Sequence, residues 1–270
     1  MSLPVAVILY TVRDQAAADL RGTLKRIAEL GYDGVELCGF YGHTPEEVKA
    51  LADEFGLQIP SAHVSIVDML ADPDKTFSDY AKAGCKYVAI PHVGEDRRVG
   101  GELFEQTIED IRVLGKKAKE YGLQLMYHNH DFEFDKVGDE FHIDYIYRNV
   151  DADLLNAEFD TCWVRVAGQN PAGYLRKYAG RCPVVHLKDF SGERNAHMYE
   201  LIGTDVQVDM TQPFELRPVG YGVNDFPSIL KAAEEVGTKW LVVEQDRPSL
   251  DRDEFGCIEL SRNYLRTLGY

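Results

Sequence analysis

The amino-acid sequence predicts a closed (β/α)₈ barrel in a single domain spanning residues 1–270. Three observations carry this expectation. One local unit recurs along the chain: an amphipathic helix, a glycine and a short apolar run. Eight such runs can be counted. Nearly all of them end in ionisable residues.

The units are legible one by one. IAEL-Gly31-YDGVELCG leads to Glu36, LADEF-Gly56-LQIPSAHVS to His63, and YAKA-Gly84-CKYVAIPH to His92. KAKEY-Gly122-LQLMYHNH leads to His128 and His130, and AAEEV-Gly237-TKWLVVEQ to Glu244. In each the glycine is expected at the left-handed position that closes a helix and turns the chain into a strand. Runs such as KYVAI and WLVV are too short for helices and read as strands buried on both faces. Between them, LFEQTIEDIRVLGKKAKEY shows helical periodicity, and strand–helix alternation implies parallel, right-handed crossovers.

Strands are expected near 4–10, 33–38, 57–65, 86–92, 123–130, 154–160, 182–188 and 239–245, with a last helix near 251–267. Eight units favour a closed barrel over an open sheet, and no G-x-G-x-x-G follows the first strand. One connection is long, at about 189–222. It is polar, punctuated by Gly and Pro, and expected as a loop over the catalytic end that closes on substrate.

Composition bounds the function. The 270 residues are 45% hydrophobic and 27% charged, enough apolar material for a full core without disulfides. The net charge of −16 argues against nucleic acid or anionic membrane as a partner. No apolar run approaches the ~18–20 residues of a membrane span. Five cysteines with no C-x-x-C pair read as reduced, buried thiols, and Met1-Ser2-Leu3-Pro4 lacks the basic start of a signal peptide. A cytoplasmic location is therefore expected. A homodimer is expected only because it is the common arrangement.

In a parallel barrel the C-terminal ends of all strands meet at one mouth, where active sites are built. Here they carry Tyr10, Glu36, His63, His92, His128, His130, Asp160, His186, Lys188, Glu244 and Asp246. Carboxylates and imidazoles crowded together repel or lose charge unless a cation accepts their lone pairs. The reading is a divalent metal site; a hydrogen-bonded polar plug is the bland alternative. Oxygen and nitrogen donors without thiolate suit Mn²⁺, Mg²⁺, Co²⁺, Fe²⁺ or Zn²⁺ and do not choose among them; Mn²⁺ is the first expectation. Asp160, His186 and Glu244 are ligand candidates. His128 and His130, two apart on a strand, face one side at different depths, so either is a ligand or a supporting donor. Lys188 reads equally as an oxyanion stabiliser or a structural ion pair, and Glu133 as a substrate contact or a solvated loop residue. His63 and His92 read as substrate contacts or packing, and Tyr10 and Trp163 as an apolar wall for a sugar or as core. Glu36, and Arg217 in the long loop, join the expected substrate contacts.

These pieces in order resemble the xylose isomerase-like superfamily of sugar phosphate isomerases and epimerases: GYDGVEL, PSAHVS, YHNHDFEF, FDTCW, VVHLKDF, PVGYGVNDFPSIL and VVEQD. The resemblance covers essentially the whole chain. It implies a metal held by residues from strands five to eight, which fall on His128, Asp160, His186 and Glu244. His128 departs from the usual glutamate, and Trp163 stands where epimerases often carry histidine. The Tyr-His-x-His arrangement is similar to that of inosose dehydratases.

The implied chemistry is proton abstraction beside a carbonyl of a small sugar or polyol. Glu244 or Glu133 would move the proton, and His130 and Lys188 would stabilise the oxyanion. The expectation is a sugar isomerase or epimerase acting through an enediolate. A dehydratase of keto-sugars or keto-inositols stands second, and a non-catalytic sugar-binding protein is the reading of another class.

Overall fold

The computed structural model describes residues 2–194 and 214–270; of the loop expected at 189–222, residues 195–213 lie outside the described residues. Eight barrel strands are numbered here in chain order: β1 Val5–Ile8, β2 Gly34–Glu36, β3 Ser61–His63, β4 Tyr87–Ile90, β5 Gln124–His128, β6 Asn156–Asp160, β7 Val184–Leu187 and β8 Trp240–Val243. Each falls within an expected run. All are parallel, in the ring order β2-β1-β8-β7-β6-β5-β4-β3. Bridges from Gly34 to Gln58 and from Leu37 to Ala62 bring β2 against β3 and close the ring.

Local signals set the elements. The five repeat glycines all adopt positive φ, for example 79° at Gly31 and 82° at Gly237, which caps the helix Phe226–Val236. Thr44 opens the helix Pro45–Glu54 with a reciprocal capping box to Glu47. The last helix runs Glu254–Thr267, close to expectation. Among the described residues two short antiparallel pairs stand outside the barrel: Lys136–Val137 with Glu140–Phe141, and Asp189–Ser191 with Glu215–Arg217.

Strand parity divides the core in two. Leu125, Tyr127, Ala157, Phe159, Val185, Leu187, Leu241 and Val243 pack outward against the helices in the main cluster. Residues of the opposite parity point into the barrel, where Ala6, Ile8, Tyr87, Ala89, Met126, Val184 and Val242 form a small apolar plug. The same parity carried one or two steps further reaches His128 on β5 and His130 just past it, Asp160 on β6, His186 on β7 and Lys188 just past it, and Glu244 and Asp246 after β8. The fold therefore places an apolar floor beneath a polar mouth.

Candidate metal centre

Four side chains from consecutive strands of the ring meet above the plug. One ligand atom each from His128, Asp160, His186 and Glu244 lies within 4.8 Å of all the others. His128 Nε2 is 3.5 Å from Asp160 Oδ2 and 3.7 Å from Glu244 Oε2, and His186 Nδ1 is 3.0 Å from Glu244 Oε2. His128 and Asp160 are buried, yet His128 Nε2 and Asp160 Oδ2 have no hydrogen-bond partner.

The other atoms of these groups are occupied. His128 Nδ1 lies 3.3 Å from the Pro91 carbonyl, and Asp160 Oδ1 accepts from Trp163 N at 2.9 Å as the N-cap of the following helix. Asp160 is held a second time where its backbone N–H donates to Asn129 Oδ1. Two orphaned polar atoms buried in the barrel would cost free energy. A divalent ion roughly 2.0–2.2 Å from such N and O donors would satisfy both. The residues present therefore fit a metal, and His128, not His130, completes the set.

Above the quartet opens a cavity of about 510 Å³, whose wall includes Tyr10, His63, His92, His128, His130, Lys188, Glu244 and Asp246. Lys188, 1% exposed, places Nζ 2.8 Å from Asp246 and 3.4 Å from Glu244, with the Trp163 ring centroid 4.9 Å away. A second cavity of about 450 Å³ at the opposite end is lined by Lys49, Lys86, Lys239 and Trp240 among others, and holds none of the candidate residues.

The remaining expectations divide. Tyr10, His63, His92 and His130 reach the cavity, as substrate contacts must. Glu36 does not: it is fully buried below, where Ser61 Oγ donates to its Oε2 at 2.6 Å. Glu133 is also turned away. It accepts from Tyr127 Oη at 2.8 Å and from His130 N at 2.7 Å, so it braces the turn after β5. Trp163 is fully buried and stacks on His130, with centroids 5.6 Å apart, so it backs the wall rather than forming it. Arg217 lies on the outer antiparallel strand pair, donating to Ser191 Oγ and paired with Glu215. One residue went unread in the sequence: Glu158, fully buried on β6. Its signal was present, since it precedes Asp160 by two and shares its inward face.

Burial and mutual charge tune the groups. Burial lifts the Asp160 carboxyl to about 7 against the pull of Lys188, and lifts Asp246 to about 6 against the same ammonium. Burial also opposes the charges of Glu244 and Lys188, but their attraction outweighs it and keeps both ionised. His130 is held well below its ordinary value by burial and by Lys188; His92 is held near 4 by burial and Arg98. At His63 burial is outweighed by Glu36 and Glu158, which raise it to about 10. The mouth thus offers the Lys188 ammonium beside the neutral imidazoles of His130 and His92.

Fold and site together define a parallel barrel with a quartet at the C-terminal mouth that could hold a metal ion. A family model described as xylose isomerase-like TIM barrel matches residues 24–267, and the chain belongs to that family. Among its relatives is the inosose dehydratase of Geobacillus kaustophilus strain HTA426, 25% identical over 272 residues covering 91% of this chain and 86% of that one. A sugar phosphate isomerase/epimerase from Parabacteroides distasonis ATCC 8503 superposes with a TM-score of 0.76 at 21% identity, covering 98% of this chain and 94% of the other. The IOLI protein with a bound zinc atom superposes with a TM-score of 0.72 at 15% identity, covering 98% of both chains. Among the described residues no helix is long and apolar enough to cross a membrane.

Proposed function

We propose that this chain is a metal-dependent dehydratase of a keto-inositol or a related keto-sugar. The sequence placed this reading second to an isomerase or epimerase. The similarity to inosose dehydratases over nine-tenths of the chain now favours it. The geometric observation that carries it is Lys188: a buried ammonium on the cavity wall, beside the quartet, held by Asp246. Elimination needs a proton donor for the departing hydroxyl, and this group is one.

His128, Asp160, His186 and Glu244 would hold the ion, Mn²⁺ as first expectation. When bound, it supplies Lewis-acid polarisation of the substrate carbonyl. The chain's own residues do the rest. His130, neutral on the cavity wall, takes the proton from the carbon beside the carbonyl, and the C–H electron pair moves toward the carbonyl oxygen. As that pair returns, the C–O bond to the β-hydroxyl breaks. Lys188 gives the hydroxyl a proton, and one water leaves. Asp246 holds the ammonium in place, and His63 and His92 contact the remaining hydroxyls. His128 supports this reading as well, because the resemblance implies that a two-carboxylate epimerase has glutamate there.

The deciding experiment is incubation with keto-inositols and ketoses in D₂O with Mn²⁺, followed by NMR and mass spectrometry. Loss of one water is expected. Deuterium uptake without that loss would move the assignment to isomerase or epimerase. Sugar binding that survives His186→Ala, with no turnover by the unaltered chain, would point to a binding protein.

A further inference from the structure

Below the quartet lies a second polar layer, in which the proposed chemistry gives Glu36 and Glu158 no part: Glu36 on β2, His63 on β3, Glu158 on β6 and the underside of His186. Glu36, Glu158 and His186 are fully buried. Glu36 Oε1 lies 3.1 Å from His186 Nε2 and 2.9 Å from His63 Nε2. Glu158 approaches the same two nitrogens, with Oε2 at 2.7 Å from His63 Nε2 and Oε1 at 3.5 Å from His186 Nε2. His186 is thus held between two layers, its Nδ1 in the quartet and its Nε2 between buried carboxylates.

A neutral imidazole has one proton and one lone pair on opposite nitrogens, and the acceptors around it decide which nitrogen keeps the proton. Glu244 Oε2 stands 3.0 Å from Nδ1, so carboxylates face both nitrogens of His186. With Glu244 and the Nδ1 lone pair given to an ion, the two carboxylates at Nε2 would hold the one remaining proton there. We propose that Glu36 and Glu158 are positioning residues for the metal: they hold the His186 proton on Nε2 and so aim Nδ1 at the ion. His63 completes the layer. Its Nε2 lies between the two carboxylates, and its ring lies parallel to that of His186, with centroids 5.0 Å apart and planes at 6°. β6 then supplies a ligand and, two residues earlier, the support for a ligand on its neighbour β7.

The same four residues are close enough to be considered a second cation site. Three of their N···O separations, 2.7, 2.9 and 3.1 Å, are hydrogen-bond lengths, which favours a layer that holds protons.

The proposal rests on the ion reading of the quartet, and the test separates the two. The full chain, labelled with ¹⁵N-histidine and titrated with Zn²⁺, is examined by two-bond ¹H–¹⁵N correlation, elemental analysis and calorimetry. The expected result is one ion per chain, with His186 protonated at Nε2 and its Nδ1 signal moved by zinc. Glu36→Gln and Glu158→Gln should each weaken zinc binding about 10–100-fold, with partial recovery in Glu158→Asp. A zinc-bound chain that keeps the His186 proton on Nδ1, two ions per chain, or unchanged affinity in both glutamine variants would overturn the positioning role while leaving the ion reading intact. A chain that takes up no zinc would overturn both. Should the variants fail to fold, the tautomer of the unaltered, zinc-bound chain still decides.

Discussion

Lys188 and Glu133 show how far apart two buried charged residues can stand in function. Lys188 faces the cavity among carboxylates, so replacing it with methionine keeps bulk but removes the proposed proton donor. Lys188→Met is expected to lower kcat by about 10²–10⁴-fold with little change in ion affinity, read by steady-state kinetics beside calorimetry. A loss below tenfold would remove Lys188 from the proton path. Glu133 faces away from the cavity, and burial raises its carboxyl to about 8 from an ordinary 4.5, against the hydrogen bonds from Tyr127 and His130. The folded chain therefore keeps a proton that the unfolded chain releases. The stability linked to this group is complete below about 4.5 and falls as pH rises toward about 8. In Glu133→Gln that decline should flatten, which thermal melts across the interval will show. An unchanged slope would mean that Glu133 is ionised in the fold.

At the scale of elements, the seam between β2 and β3 is the sensitive join of the barrel, since it is made by isolated bridges rather than a continuous ladder. Gly34 sits in it. A Cβ there would meet the Gln58 carbonyl oxygen at 2.6 Å and the Trp240 ring at 3.2 Å. Gly34→Ala should cost about 1–3 kcal/mol, measured as a lower urea midpoint. The quartet sits on β5 to β8, so its ion affinity should hold. Equal stability in the variant would mean that the seam can open without strain.

At the scale of the molecule, the quartet joins strands whose ligands span residues 128 to 244, so an ion that binds only when they meet must stabilise the whole fold. Saturation at about a hundred times Kd adds about 2.7 kcal/mol, roughly 5–10 °C in Tm for a chain of this size. EDTA should reverse the gain and abolish turnover. A midpoint indifferent to both Mn²⁺ and Zn²⁺ would argue that the cluster is only a polar plug.

The chain alone determined the repeat, the eight strands and the mouth that gathers Asp160, His186 and Glu244, because helix-closing glycines and short apolar runs are local signals that act wherever they occur. It also placed His128 and His130 on one face at two depths. Tertiary structure decided which of them joins the quartet, sent Glu36 below the site, turned Glu133 behind it and brought Glu158 beneath His186. Alternation along a strand tells which side a residue faces. How deep it sits, and which distant atoms surround it there, depends on the register of neighbouring strands around the closed ring, and no single segment contains that information.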